Sequence, residues 1–220
     1  MANTSERVAA VARRDGPPVA VASRDPSPGT EHVTDKTKDS AKIASKRVYS
    51  GRIINVDLDT VRFPNGKEGE LEMVRHPGAS AVVPFLSDPA GENPQVLLLR
   101  QYRYAAERYI YEIPAGKLDG NEDPELCARR ELREETGLEA DTIEHLTTMY
   151  TTPGFTDERI HLFMASGLTR GGDAALEHDE FVEPEPTTLS DALHMIATGK
   201  IVDGKTICAL LFVAGFRSGL

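Results

Sequence analysis

Residues 112–138, EIPAGKLDGNEDPELCARRELREETGL, decide how the rest of the chain is read. The second half predicts a helix. Asp123 suits the N-cap, Pro124 the first helical position, and Gly137 the left-handed residue that ends a helix. On that helix Glu131, Glu134 and Glu135 stand at i, i+3 and i+4, so their carboxylates share one face. Like charges at this spacing cost roughly 0.2–0.5 kcal/mol per pair, and a hard divalent cation with oxygen ligands would offset that cost. Upstream, Gly116 and Gly120 fall in a loop bounded by Pro114 and Asp123, where the absence of side chains lets backbone approach a ligand.

A lone pair of glutamates at helical spacing is an ordinary solvated face. Here the pattern is longer: Gly116, five residues, Glu122, seven residues, then Arg130-Glu131-Leu132-Arg133-Glu134-Glu135-Thr136-Gly137-Leu138. Seven required identities at ~5–7% usage coincide by chance roughly once in 10^8 starting positions. The stretch resembles the Nudix box of the Nudix hydrolase family, with every fixed position filled.

Outside the box, the 220 residues suit one domain of good size or a domain plus an appendage. Residues 1–44 are rich in Ala, Ser, Thr, Pro and Gly with no apolar period, and read as a mostly disordered tail without the marks of a secretory signal. The other 18 basic and 29 acidic residues carry −11, against −10 for the whole chain, which argues against nucleic-acid binding through a broad basic surface. No apolar run reaches the ~18 residues of a membrane span. An anionic substrate would need metal ions to approach so acidic a body. The only cysteines, Cys127 and Cys208, lack metal-ligand spacing and read as buried free thiols, in keeping with a reducing cytoplasm.

Strands are predicted at 48–63 (two short ones), 70–75, 79–86, 95–101, 109–113, 143–150 and 160–165, with turns at Pro64-Asn65-Gly66 and Thr152-Pro153-Gly154-Phe155. Residues 190–198 predict an amphipathic helix capped by Ser190 or Asp191. Residues 207–216, apolar nearly all round, predict a buried helix. Strands interleaved with helices give an α/β architecture.

The resemblance extends beyond the box. His76-Pro77-Gly78-Ala79, Gln101-Tyr102-Arg103, Glu112-Ile113-Pro114-Ala115-Gly116 and Thr152–Glu158 are similar to the ADP-ribose pyrophosphatase branch of the family, as is Pro153, 15 residues after Leu138. The resemblance implies an α/β/α sandwich around a mixed β-sheet, covering residues 78–220. It also implies a small N-terminal β-subdomain, residues 45–77, that serves dimerisation. The implied reaction is Mg-dependent hydrolysis of ADP-ribose to AMP and ribose 5-phosphate in a cytoplasmic homodimer, with Mn2+ as a possible substitute. By position, Glu131 and Glu135 match the main metal ligands, Glu134 a further or supporting carboxylate, and Ala115 a backbone-carbonyl ligand.

Arg130, four residues before Glu134, orients it or forms a plain surface ion pair. Glu122 serves either the metal site or the local structure. The general base is sought in Leu176–Glu183, where Glu180 precedes the apolar pair Phe181-Val182; Glu177 and Glu183 compete with it. Arg103 suits a phosphate contact, or else a strand-end salt bridge. Glu72 matches a position on the adenine side, and Gly116 and Pro153 border the substrate.

Three departures bear on specificity. There is no Trp to stack on a base, Leu71 stands where relatives often have Arg, and Pro184-Glu185-Pro186 interrupts what is usually an apolar strand. Hydrolysis of another nucleoside diphosphate sugar or dinucleotide therefore stays open. A non-catalytic ADP-ribose sensor is a third reading, one that would not need so complete a set of carboxylates.

Overall fold

The apolar runs at 79–85 and 160–165 are the two strands that hydrogen-bond in parallel at the centre of the protein. In this computed structural model residues 41–176 and 181–217 are described. The mixed sheet has β4 (Ala79–Pro84) and β9 (Arg159–Arg170) in the middle, flanked by β7 (Ala115–Lys117) and β8 (Leu138–Tyr150), in the order β7-β4-β9-β8. Side chains alternate across a strand, so one run supplies two cores. Ala81, Val83, Ile160, Leu162 and Met164 face one core, and Val82, Phe163 and Ala165 face the other.

Helix α1 (Pro124–Thr136) covers the second face through Ala128 and Leu132. Against the first face pack α2 (Leu189–Ala197), α3 (Gly204–Phe212) and an antiparallel sheet ordered β10-β5-β6, made of Val182–Thr188, Gln95–Arg103 and Arg108–Glu112. Helices on both sides of a mixed sheet make the predicted α/β/α sandwich. A separate antiparallel sheet, β1 (Ala41–Ser50), β2 (Asn55–Arg62) and β3 (Glu68–Arg75), precedes it.

Helix α1 begins and ends as its sequence predicts. The Asp123 carboxylate accepts from the N–H groups of Glu125 (2.8 Å) and Leu126 (3.4 Å), and Gly137 stops the helix at φ 71°. A Cβ at Gly137 would also lie 2.6 Å from the Gly172 carbonyl oxygen.

Several expectations are corrected. The predicted tail boundary at residue 44 falls inside a strand, because β1 starts at Ala41 and pairs along β2; residues 1–40 lie outside the described residues. The Gly116 loop contains a short strand, β7, paired with β4. Thr188, not Ser190 or Asp191, caps α2 by accepting from the Asp191 N–H at 3.1 Å. The last apolar run starts earlier than predicted, at Gly204 with Asp203 as cap, and gives way after Phe212 to a wider turn. It is not buried all round: only one side meets the core, leaving Leu211 50% and Phe216 70% exposed. Finally, the Pro184-Glu185-Pro186 segment does form a strand, β10. It is an edge strand, and prolines two residues apart leave their missing N–H groups on the same side, turned away from β5.

Candidate active site

The apolar stripe of α1 aims its carboxylates. Ala128 and Leu132 are fully buried on the sheet, and the Ser80 hydroxyl donates to the Pro124 carbonyl at 2.7 Å, pinning the first turn onto β4. Glu131 and Glu135 then fall at the edge of the helix facing β7, only 8% and 3% exposed. The Glu135 carboxylate accepts from the Ala115 N–H at 3.1 Å. Glu131 packs so closely on β7 that a Cβ at Gly116 would sit 1.9 Å from its Oε1. Gly116 is thus a requirement of close approach: any side chain there would occupy the space of the carboxylate.

Arg130 lies at the centre of the box. Its guanidinium donates to Glu122 (3.0 and 2.9 Å), Glu131 (2.6 Å), Glu134 (3.0 Å) and the Lys117 carbonyl (3.1 Å). The hydrogen bonds from Arg130 hold the Glu122 carboxyl down at about 2. They likewise raise Arg130 above the ordinary arginine value, Glu122 contributing most. Arg130 therefore offsets part of the repulsion expected among the box carboxylates. Burial pushes the neighbouring Cys127 thiol up to about 12, as befits an inert core residue; Cys208 is only partly buried.

Beside β7 opens a cleft of about 480 Å³, lined by Arg103, Ala115, Gly116, Glu158, Asp203 and Lys205 among others. Its second wall is a cluster of charges. Arg103, at the end of β5, grips Glu112 through two bonds, Nε–Oε1 at 2.6 Å and Nη2–Oε2 at 2.8 Å. Lys205 of α3 also bonds Glu112, and reaches Asp203 at 3.1 Å. Burial by itself would raise the Glu112 carboxyl. The bonds from Arg103 and the nearby Lys205 charge hold it below the usual carboxylate range instead.

These features, an oxygen-rich helix edge laid on a glycine strand beside a wall of paired charges, coincide with a match to the NUDIX domain over residues 76–210. The chain belongs to the Nudix family. It is 44% identical over 172 residues to a methanol dehydrogenase activator of Bacillus methanolicus, covering 78% of this chain and 90% of the relative. An ADP-ribose pyrophosphatase of Bacillus subtilis (strain 168) is 39% identical over 179 residues, 81% of this chain and 94% of the relative. The fold is also that of an ADP compounds hydrolase known from a crystal structure, with a TM-score of 0.67 at 22% identity, covering 82% and 95% of the two chains.

Within this Nudix fold Ala115, Gly116 and Arg103 line one cleft, with Glu131 packed on Gly116 and Glu135 bonded to Ala115. Glu134 stands apart, its side chain 43% exposed beside Arg130, and it lines a different groove of about 550 Å³ with Arg129, Arg133 and Asp173. Glu72 is exposed on β3, opposite Leu58 of β2, and Pro153 is exposed in the turn between β8 and β9; neither lines the Arg103 cleft. Glu180, with Glu177 and His178, lies outside the described residues. Glu183 is bound to Arg100 at 2.6 Å across the β10–β5 pair. Among the described residues, no three His, Cys, Asp or Glu side chains are grouped as a metal cage.

Sequence reasoning missed Glu112 as a charge anchor and missed Asp203 and Lys205 altogether. Asp203 had a local signal, since an Asp three residues before Thr206 at the head of an apolar run marks a helix start. Lys205 had none, because its partner Glu112 is 93 positions away.

Proposed function

We propose that this protein hydrolyses the diphosphate of ADP-ribose to AMP and ribose 5-phosphate with the help of Mg2+. The observation that carries the reading is the pair of buried carboxylates, Glu131 and Glu135, laid against Ala115 and Gly116, which line the same cleft as Arg103. The relative of that name in Bacillus subtilis, at 39% identity, supports it.

The donor set fits a hard divalent cation. It is all oxygen, its two carboxylates are nearly dry, and Gly116 makes room for the Glu131 carboxylate against β7. Glu131, Glu135 and the Ala115 carbonyl would hold the ion, with Glu134 as a further carboxylate. When bound, it supplies charge neutralisation for the diphosphate and a lowered pKa for the attacking water. Arg103 binds a phosphate oxygen, and Arg130 keeps Glu131 and Glu134 in place. Glu180 takes the proton of the attacking water.

Support for Glu180 comes from the chain on either side of it. The Ala175 N–H bonds the Glu134 carbonyl at 2.8 Å, while the Phe181 carbonyl accepts from the Tyr102 N–H at 3.4 Å, next to Arg103. The described residues on either side of 177–180 are thus held at the ligand helix and at the strand that ends in Arg103. Glu180→Gln should lower kcat by roughly 10²–10⁴-fold with little change in KM. Retained activity in Glu180→Gln together with loss in Glu177→Gln moves the base to Glu177.

A second reading, hydrolysis of another nucleoside diphosphate sugar or a dinucleotide, is favoured by the absence of Trp and by Leu71 at the base-recognition end. Turnover across ADP-ribose, ADP-glucose, NADH and diadenosine polyphosphates, with Mg2+ and with Mn2+, decides between them. No turnover with any of these would overturn both and leave the sensor. We further assign the β1-β2-β3 sheet to a homodimer interface and the working protein to the cytoplasm. A three-stranded sheet is stable only with an apolar face to pack, and every residue of β1 is exposed in the single chain. Sedimentation showing an active monomer would contradict the dimer. Removing residues 1–40 should leave assembly and turnover unchanged.

A further inference from the structure

Glu112 is 2% exposed and receives two cations from different elements, a costly arrangement for a residue with only a packing role. Arg103 gives it Nε and Nη2; among the described residues no hydrogen bond uses Nη1. Two parallel bonds fix the plane of a guanidinium, and its third nitrogen remains directed by that plane. Arg103 is also 42% exposed at its side chain and lines the cleft, so the fixed group is a presented one.

The alternative available to this arginine is harmful. Glu135 is close enough for its charge to act on Arg103, and Ala115, bonded to Glu135, lines the same cleft. An arginine released from Glu112 would turn its five donors to the carboxylates of α1. Lys205 guards against this from the other side. Its side chain is 12% exposed, it bonds Glu112 and Asp203, and Asp203 is itself tied to α3 through the Thr206 N–H (2.9 Å) and hydroxyl (2.6 Å). The Thr206 hydroxyl in turn accepts from the Ile113 N–H at 2.9 Å, so the head of α3 is joined to the residue after Glu112.

We propose that Glu112 and Lys205 are positioning residues: Lys205 anchors Glu112, and Glu112 holds Arg103 off the α1 carboxylates with its Nη1 edge turned to the diphosphate of the substrate. The role given to Arg103 rests on the hydrolase reading; the clamp itself does not.

The test has two arms. In the first, the Nε–H resonance of Arg103 is followed by 15N NMR, assigned by its loss in Arg103→Lys. It should be sharp and slowly exchanging in the wild type, collapse in Glu112→Gln, shift in Lys205→Met and return in Lys205→Arg. An unchanged signal in Glu112→Gln overturns the clamp, and an unchanged signal in Lys205→Met removes Lys205 from it. In the second arm, Glu112→Gln should raise KM for ADP-ribose about 10-fold and change kcat less. In an Arg103→Met background the same substitution should have no further effect, because a residue acting through Arg103 has nothing left to act on. Additive losses in the double variant would instead mark a purely structural role and overturn the proposal. If the wild type hydrolyses no nucleoside diphosphate sugar, the hydrolase reading falls, while the resonance still decides whether the clamp exists.

Discussion

Arg130 and Arg75 each gather three carboxylates, over very different lengths of chain. Arg130 holds Glu122, Glu131 and Glu134, none more than eight positions away. Arg75, at the end of β3, holds Asp57 and Asp59 of β2 and reaches Asp157 in the β8–β9 turn, 82 positions on. The first cluster belongs to one helix and the loop that leads into it, so it orders a site. The second ties the three-stranded sheet to the turn that leads into the cleft, helped by backbone bonds from Val74 N–H to Phe155 C=O (2.7 Å) and Asp157 N–H to Val74 C=O (3.3 Å). One residue type builds a site in one place and a joint in the other.

The largest effect that would sharpen this contrast is expected at a carboxylate Arg130 does not touch. Glu135→Gln keeps the shape and removes one buried anion, so turnover should fall by orders of magnitude while the thermal melt stays cooperative. Unchanged turnover at saturating Mg2+ would remove Glu135 from the proposed metal site.

Next come the two arginines themselves. Arg130→Met removes the bonds Arg130 makes to Glu131 and Glu134 and should cost about 10–100-fold in activity, the usual worth of a residue that orients metal ligands, the role proposed for it above. Arg75→Met should act on the melting temperature instead, with specific activity of the folded protein near wild type. Equal loss of activity in both variants would break the comparison and make the joint part of the site.

A smaller effect lies in acid. The folded Glu122 carboxyl sits at about 2 against an ordinary 4.5, so its pairing stabilises the fold fully above pH 4.5 and is lost as pH falls toward 2. Asp57 and Asp59 are also lowered, by Arg47 and Arg75 and by Ser45 and Arg75 respectively, and act with the same sign. Melting temperatures measured from pH 5 downward should therefore fall less steeply in Glu122→Gln than in the wild type. Parallel curves would show that the Glu122 pairing contributes nothing to acid stability. The smallest effect concerns Cys127, which touches Arg130 Nη2 at 3.4 Å yet is fully buried. Thiol reagents at pH 8 should label the partly buried Cys208 first and reach Cys127 only on unfolding; early labelling of Cys127 would show that the site opens.

Residues 112–138 alone determined helix α1, both its ends, and the edge on which Glu131 and Glu135 stand, because capping and helical spacing act within a few residues of chain. The central strands were legible for a related reason: a strand buried on both faces reads as a nearly continuous apolar run, and Ala79–Leu86 and Ile160–Ala165 do so, interrupted only by Ser80 and His161. What the sequence could not decide depends on partners far along the chain. Only the tertiary structure placed Lys205 and Arg103 on the same carboxylate, joined Arg75 to Asp157, and made an edge strand of a proline-rich segment. A salt bridge leaves no periodic trace in either of its strands, and the edge that tolerates proline exists only once β5 lies beside it. Gly116 belongs to both accounts: its place in the pattern was visible in the sequence, but its reason, a glutamate packed where a side chain would be, appeared only when β7 met α1.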